Sequence, residues 1–148
     1  MSDSLKITGT VTLKLFDKDG NLKQEDVVNN LVTTAGKNLI ARKVISDSEV
    51  ISSIGIGSGV TTPTVTDTAL TTELANIELL YQMVDAVETN SIVFVTTFEE
   101  NVGTGTINEV GLFSDSSPQK LVCHALVSPA FVKESTDYVN VSWKLTLE

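Results

Sequence analysis

Cys123 and His124 are adjacent, and a thiol beside an imidazole is a combination that can supply a nucleophile and its base. Each is the sole residue of its kind in the chain. Neighbours on a strand point to opposite faces, however, so these side chains diverge, and His124 reads as a structural histidine. No Gly-x-Ser-x-Gly elbow offers a serine in place of the thiol. One histidine and one cysteine would leave a transition-metal site mostly to carboxylates. Asp17-Lys18-Asp19-Gly20 begins like a calcium loop, but Asn21, Leu22 and Lys23 follow where further ligands are required, so it reads as a hairpin turn. Glu99 and Glu100 stand side by side next to a turn and read as solvated. Gly55-Ile56-Gly57-Ser58-Gly59 lacks the dinucleotide spacing and the Gly-Lys-Ser/Thr ending of a P-loop, and a Thr- and Pro-containing loop follows it. Its glycines suit a strand end that bends tightly. The expectation is a chain with no catalytic, cofactor-binding or metal-ligating residues, and hence no enzyme.

The elements that carry these residues are mostly strands. Val11, Leu13 and Leu15 alternate with Thr10, Thr12 and Lys14, and Leu22 to Val28 completes a hairpin. The period changes between Thr34 and Val44, where Leu39, Ile40 and Val44 fall on one helical face with Thr33 or Thr34 as N-cap. Lys37, Arg42 and Lys43, with nearby Lys23, make this side less acidic than the rest. Strands are expected at Val50–Ile56, Ile77–Val87, Ser91–Phe98, Ile107–Phe113, Lys120–Val127 and Tyr138–Leu147. A short second helix is expected from Thr68 to Leu74, capped by Asp67. The run Ile92-Val93-Phe94-Val95 is too continuous for an open surface and belongs centrally or at a subunit contact. In the last strand Val139, Val141, Trp143, Leu145 and Leu147 share one face. The fold class is mainly β: a jelly-roll-like, two-sheet β-sandwich of about eight strands with one inserted helix and a short second one, forming a single domain over residues 1–148.

Composition narrows the partners. The 148 residues include 19 Thr and 19 Val, two types that favour strands. Ten Lys and Arg against 19 Asp and Glu give a net charge of −9. Binding nucleic acid through phosphate neutralisation needs the opposite balance, and anionic membrane surfaces are disfavoured for the same reason. With a lone cysteine there is no internal disulfide, and Met1-Ser2-Asp3-Ser4 does not open a secretory signal, so synthesis in a cytoplasm is expected.

The landmarks, taken in order, carry a resemblance. Asn29-Asn30-Leu31-Val32-Thr33-Thr34-Ala35-Gly36 leads into the helix; Ile54-Gly55-Ile56-Gly57-Ser58-Gly59, Pro63, Asp67-Thr68-Ala69-Leu70 and Glu73 follow. Then come Ile107-Asn108-Glu109-Val110-Gly111-Leu112-Phe113 and the closing Trp143 strand. Over nearly its whole length the chain resembles the small β-sandwich virion structural proteins of tailed bacteriophages, of the capsid decoration (cement) or tail adaptor type. Asn30 and Gly36 suit a strand-to-helix junction, Gly57 and Gly59 a close backbone approach, and Asp67 a helix cap. Glu109, expected to share a face with Ile107 and Gly111, needs backbone N–H partners to offset its desolvation.

The resemblance implies a non-enzymatic virion component. A capsid decoration subunit that binds and stabilises the outer head lattice is the first expectation, with a tail, baseplate or fibre-adaptor subunit as the alternative. Its partners would be the major capsid protein or neighbouring tail proteins, without nucleic acid or membrane. A homo-oligomer is expected, a trimer if it sits at capsid threefold positions. Met1–Leu5 could serve as an arm reaching a neighbour. Eight aromatic residues, with Trp143 on an apolar face, make a glycan-binding platform of Tyr81 and Tyr138 the weaker reading.

Overall fold

The alternating segments at the two ends of the chain pair with each other along their full lengths. In the computed structural model, which describes residues 6–148, β1 (Ile7–Phe16) runs antiparallel to β10 (Tyr138–Leu147). Between them lie β2 (Leu22–Asn29), β3 (Leu31–Val32), α1 (Thr34–Lys43), β4 (Ile51–Gly57), β5 (Glu73–Glu78), β6 (Tyr81–Val84), β7 (Ser91–Phe98), β8 (Gly105–Ser114) and β9 (Leu121–Lys133). One sheet has the order β2-β1-β10-β7-β6 and the other β3-β9-β8-β4-β5, all pairs antiparallel. The architecture of the described residues is a two-sheet β-sandwich with one helix. The arm expected at Met1–Leu5 lies outside the described residues.

The alternation in sequence places the core. Val11, Leu13 and Leu15 of β1 and Val139, Val141, Trp143 and Leu145 of β10 face Ile54, Ile56, Val110, Leu112 and Cys123 of the other sheet, all buried in one cluster. Trp143 is fully buried, and its indole Nε1 donates to Asn30 Oδ1 at 2.8 Å, which satisfies its only polar atom. The run Ile92–Val95 belongs to β7, which is paired on both sides, by β10 and β6.

Several boundaries differ from expectation. Among the described residues ten strands form rather than about eight: the two-residue β3 is added, and the segment expected as one strand over Ile77–Val87 is two. It divides where the Leu79 amide donates to Ser52 O and the Leu80 amide to Val95 O, passing the chain from one sheet to the other. The strand expected at Lys120–Val127 continues to Lys133 through Pro129, because β3 pairs only with Cys123 and His124 and leaves the proline unopposed on that edge. The second helix, Thr68 to Leu74, does not form. Asp67 instead accepts from the Thr64 amide and hydroxyl, both at 2.8 Å, and the amides of Thr71 and Thr72 are taken by Glu109. Val44, expected on the buried helical face, is 85% exposed, and only Gly36 and Leu39 of α1 are buried. Lys23 sits at the far end of β2 from the helix and pairs with Asp137 at 2.8 Å, so it adds no charge to the helical side.

Candidate functional site

Five of the landmark residues converge on the outer face of the β3-β9-β8-β4-β5 sheet. Across that sheet Gly55 stands opposite Gly111, Gly57 opposite Glu109, and Gly111 opposite His124. Residues 58–72, which carry Gly59 and Asp67, lie over this face. Beneath them Leu70, Phe113 and Leu121 form a second buried cluster, separate from the sandwich core.

Glu109 is fully buried and fastens both ends of that covering segment. It accepts from the Gly59 amide at 2.8 Å, and from the Thr71 and Thr72 amides at 2.9 Å each. His124 Nε2 lies 2.9 Å from Glu109 Oε1, and its Nδ1 lies 2.8 Å from Asp67 Oδ2. Both ring nitrogens face carboxylate oxygens, so the imidazole is bracketed by Asp67 on one side and Glu109 on the other. Burial pushes the Glu109 carboxyl up, but the Thr72 and Thr71 amides, His124 and the Gly59 amide outweigh it and hold it below the usual range. Asp67 is held low in the same way: desolvation is outweighed by the Thr64 amide, the His124 ring and the Thr64 hydroxyl. Close approach explains the glycines. A Cβ on Gly57 would lie 2.8 Å from Glu109 Oε2, and one on Gly59 would overlap the same oxygen. This arrangement is a clamp: it closes a loop of about a dozen residues onto one buried carboxylate, and it uses every polar atom of the imidazole.

Glu109 shares its face with Gly111 but not with Ile107. The β8–β9 register shifts between Ile107 and Glu109, which turns Ile107 into the sandwich core beside Val110 and Leu112. Cys123 and His124 diverge, with the thiol in the sandwich core and the imidazole in the clamp, and burial pushes the thiol pKa up. The remaining landmarks lie elsewhere. Asn30 holds Trp143, and Gly36 packs its α-carbon against the Val122 carbonyl, where a Cβ would overlap the backbone. The junction between them is tied by Thr33, whose Oγ1 accepts from the Gly36 amide at 3.0 Å and whose amide donates to Val122 O at 3.0 Å.

Two buried charged residues escaped the sequence reading. Asp137 accepts from Lys23 Nζ at 2.8 Å and from the Glu134 amide at 2.9 Å. Lys133 is buried and donates to Glu99 O at 3.0 Å; burial lowers its pKa, opposed by Asp137, Glu99 and Glu100. The only signal for either is a charge falling on an inward position of the strand-turn-strand Lys133–Tyr138, a weak signal beside a turn. Glu99 and Glu100 themselves are exposed.

Residues 26–135 match the family described as phage tail-collar fibre protein, N-terminal. The chain belongs to that family. The match runs from within β2 through β9 and takes in the whole clamp, from Gly57 to His124. No curated protein and no solved structure matches the chain. Membership in the tail-collar fibre family makes this a structural protein of a tailed-phage virion, and it favours the tail alternative over head decoration.

Proposed function

We propose that the chain is a tail-fibre structural subunit, a folded module that seats against a neighbouring tail protein. The observation that carries this reading is the family match over residues 26–135. The fold supports it: two sheets and a clamped loop give a rigid body, and its polar buried groups are spent on holding backbone amides rather than on a substrate. The threefold oligomer expected above was argued from a head position; a tail position neither requires nor excludes it. Immunogold labelling of intact virions tests the reading. Label is expected on the tail, and label over the head would overturn it and restore decoration.

A further inference from the structure

Half of the chain's ten cations pair with its own carboxylates. Lys14, Lys23, Arg42, Lys120 and Lys144 each do so, and Lys133 is buried. Among the described residues, Lys6, Lys18, Lys37 and Lys43 meet no carboxylate. Lys18 lies in the turn between β1 and β2, whereas the other three border two hollows.

The first hollow, of ≈ 500 Å³, is walled by Ile7, Ile40, Lys43, Val44, Val50 and Leu147; the second, of ≈ 540 Å³, by Lys6, Ile7, Thr8, Lys37 and Val65. They share Ile7 and together form a trough between α1 and the start of β1. Lys37 and Lys43 stand six residues apart on that helix, about 9 Å along its axis at ~1.5 Å per residue. Neither hollow is lined by a carboxylate, although acidic residues outnumber basic ones 19 to ten. The acidic side chains around the trough are engaged elsewhere: Asp47 and Glu49 by Arg42, Glu49 also by Lys120, and Glu148 by the Thr8 hydroxyl. Three uncompensated cations therefore flank an apolar floor, and Val44 and Ile45 stand exposed at the helix end beside it. Exposed apolar surface rimmed by polar groups marks a protein contact.

We propose, building on the tail reading above, that this trough seats an acidic segment of the neighbouring tail protein. Its apolar side chains enter the first hollow, and its carboxylates meet Lys6, Lys37 and Lys43. Charge sets the place. A chain of net charge −9 repels an acidic segment over most of its surface, so unpaired lysines around a carboxylate-free floor fix where it lands. The apolar floor supplies the affinity that exposed ion pairs, each worth little, do not.

Carbodiimide treatment of intact virions, which joins a lysine amine directly to a carboxylate, tests the contact when the linked peptides are read by mass spectrometry. Links from Lys37 and Lys43 to Asp or Glu of a different tail protein are expected, with exposed, unpaired Lys18 as the comparison that stays unlinked. Links from the trough to a second copy of this chain would overturn the proposal, and so would trough lysines linked no more often than Lys18. Links to a head protein would overturn the tail reading instead and keep the trough as the seat. Charge reversal gives a second arm. Lys37→Glu combined with Lys43→Glu, both at exposed positions, should leave the melting curve of the purified chain nearly unchanged. It should cut incorporation into virions about tenfold, while Lys37→Arg with Lys43→Arg incorporates normally. Incorporation indifferent to the reversal would overturn the proposal.

Discussion

Thr12, Lys14, Asn140, Ser142 and Lys144 lie half-buried on the outer face of the sheet that contains β1 and β10, whereas Glu109, Gly111, Phe113, Leu121 and His124 are buried on the outer face of the other. Both sheets give their inner faces to the same core. They differ in what happens to the second face. One leaves it to water and needs only alternation; the other covers it with residues 58–72, and the backbone amides of that cover then need acceptors. The second solution places a carboxylate and an imidazole where the first places threonine and serine. Covering a sheet with loop rather than helix thus transfers the hydrogen-bonding burden to side chains of the sheet.

The largest test of this contrast is Glu109→Leu, which keeps the side chain's bulk and removes the acceptor. One buried and two part-buried amides and one side of the His124 ring then lose their partner, and breaking a buried pair typically costs about 3–5 kcal/mol. Urea unfolding should show a loss of that size. A loss under about 1 kcal/mol, the range of an ordinary surface site, would break the comparison.

Acid should separate the two faces without a substitution. Glu109 and Asp67 are both held below their usual pKa. A carboxyl lowered in the folded state contributes its full stability above the unfolded value, about 4.3 for Glu and 3.9 for Asp. That contribution is lost as the pH falls through the lower folded value. Stability should therefore fall below about pH 4, and the fall should be shallower in Glu109→Leu. Hydrogen exchange sharpens the point: the Gly59, Thr71 and Thr72 amides should lose relative protection on acidification before those of β1 and β10 do. Equal loss across both sheets would mean that the clamp is not the acid-sensitive part.

The same difference governs what the sequence discloses. β1 and β10 are buried on one face, so their alternation is clean and their inward residues can be read directly. β4, β8 and β9 are buried on both faces over much of their length, and two-sided burial erases the period. That Glu109 needs amide partners follows from its apolar neighbours. That the amides come from Gly59, Thr71 and Thr72 does not, because the segment joining them has a helical pattern from Thr68 onward that tertiary contacts override. The register shift after Ile107 is only partly marked: its surplus residues lie on β9 between Leu126 and Phe131, where Pro129 signals an irregularity but not its effect on Ile107. His124 is legible as structural from its isolation, while its two carboxylate partners lie 57 and 15 residues away in sequence.

Gly59→Ala probes how tightly the cover is seated. The new methyl would overlap Glu109 Oε2 and crowd the Thr71 side chain. Overpacking at a tight site costs about 1–3 kcal/mol, and here the carboxylate can relieve it only by giving up the amides that it holds. Melting measurements should show that intermediate loss. A neutral result would mean that residues 58–72 sit further from the sheet than the clamp geometry requires.

Thr12→Val makes the smallest expected change, and it tests the open face from the other direction. Thr12 is half-buried, stands between Val27 and Ser142 in the two flanking strands, and its hydroxyl has no partner among the described residues. The two side chains are nearly isosteric, both are β-branched, and valine fits a strand at least as well. The only loss is hydration of one hydroxyl already in water, so the change in stability should stay within about 0.5 kcal/mol and can be slightly favourable. Removing polarity from a strand position on the covered face is costly because groups buried there depend on it, whereas nothing depends on Thr12. A cost above about 1 kcal/mol would show that this face, too, is covered in solution, and the contrast between the sheets would then lie in their partners rather than in their folds.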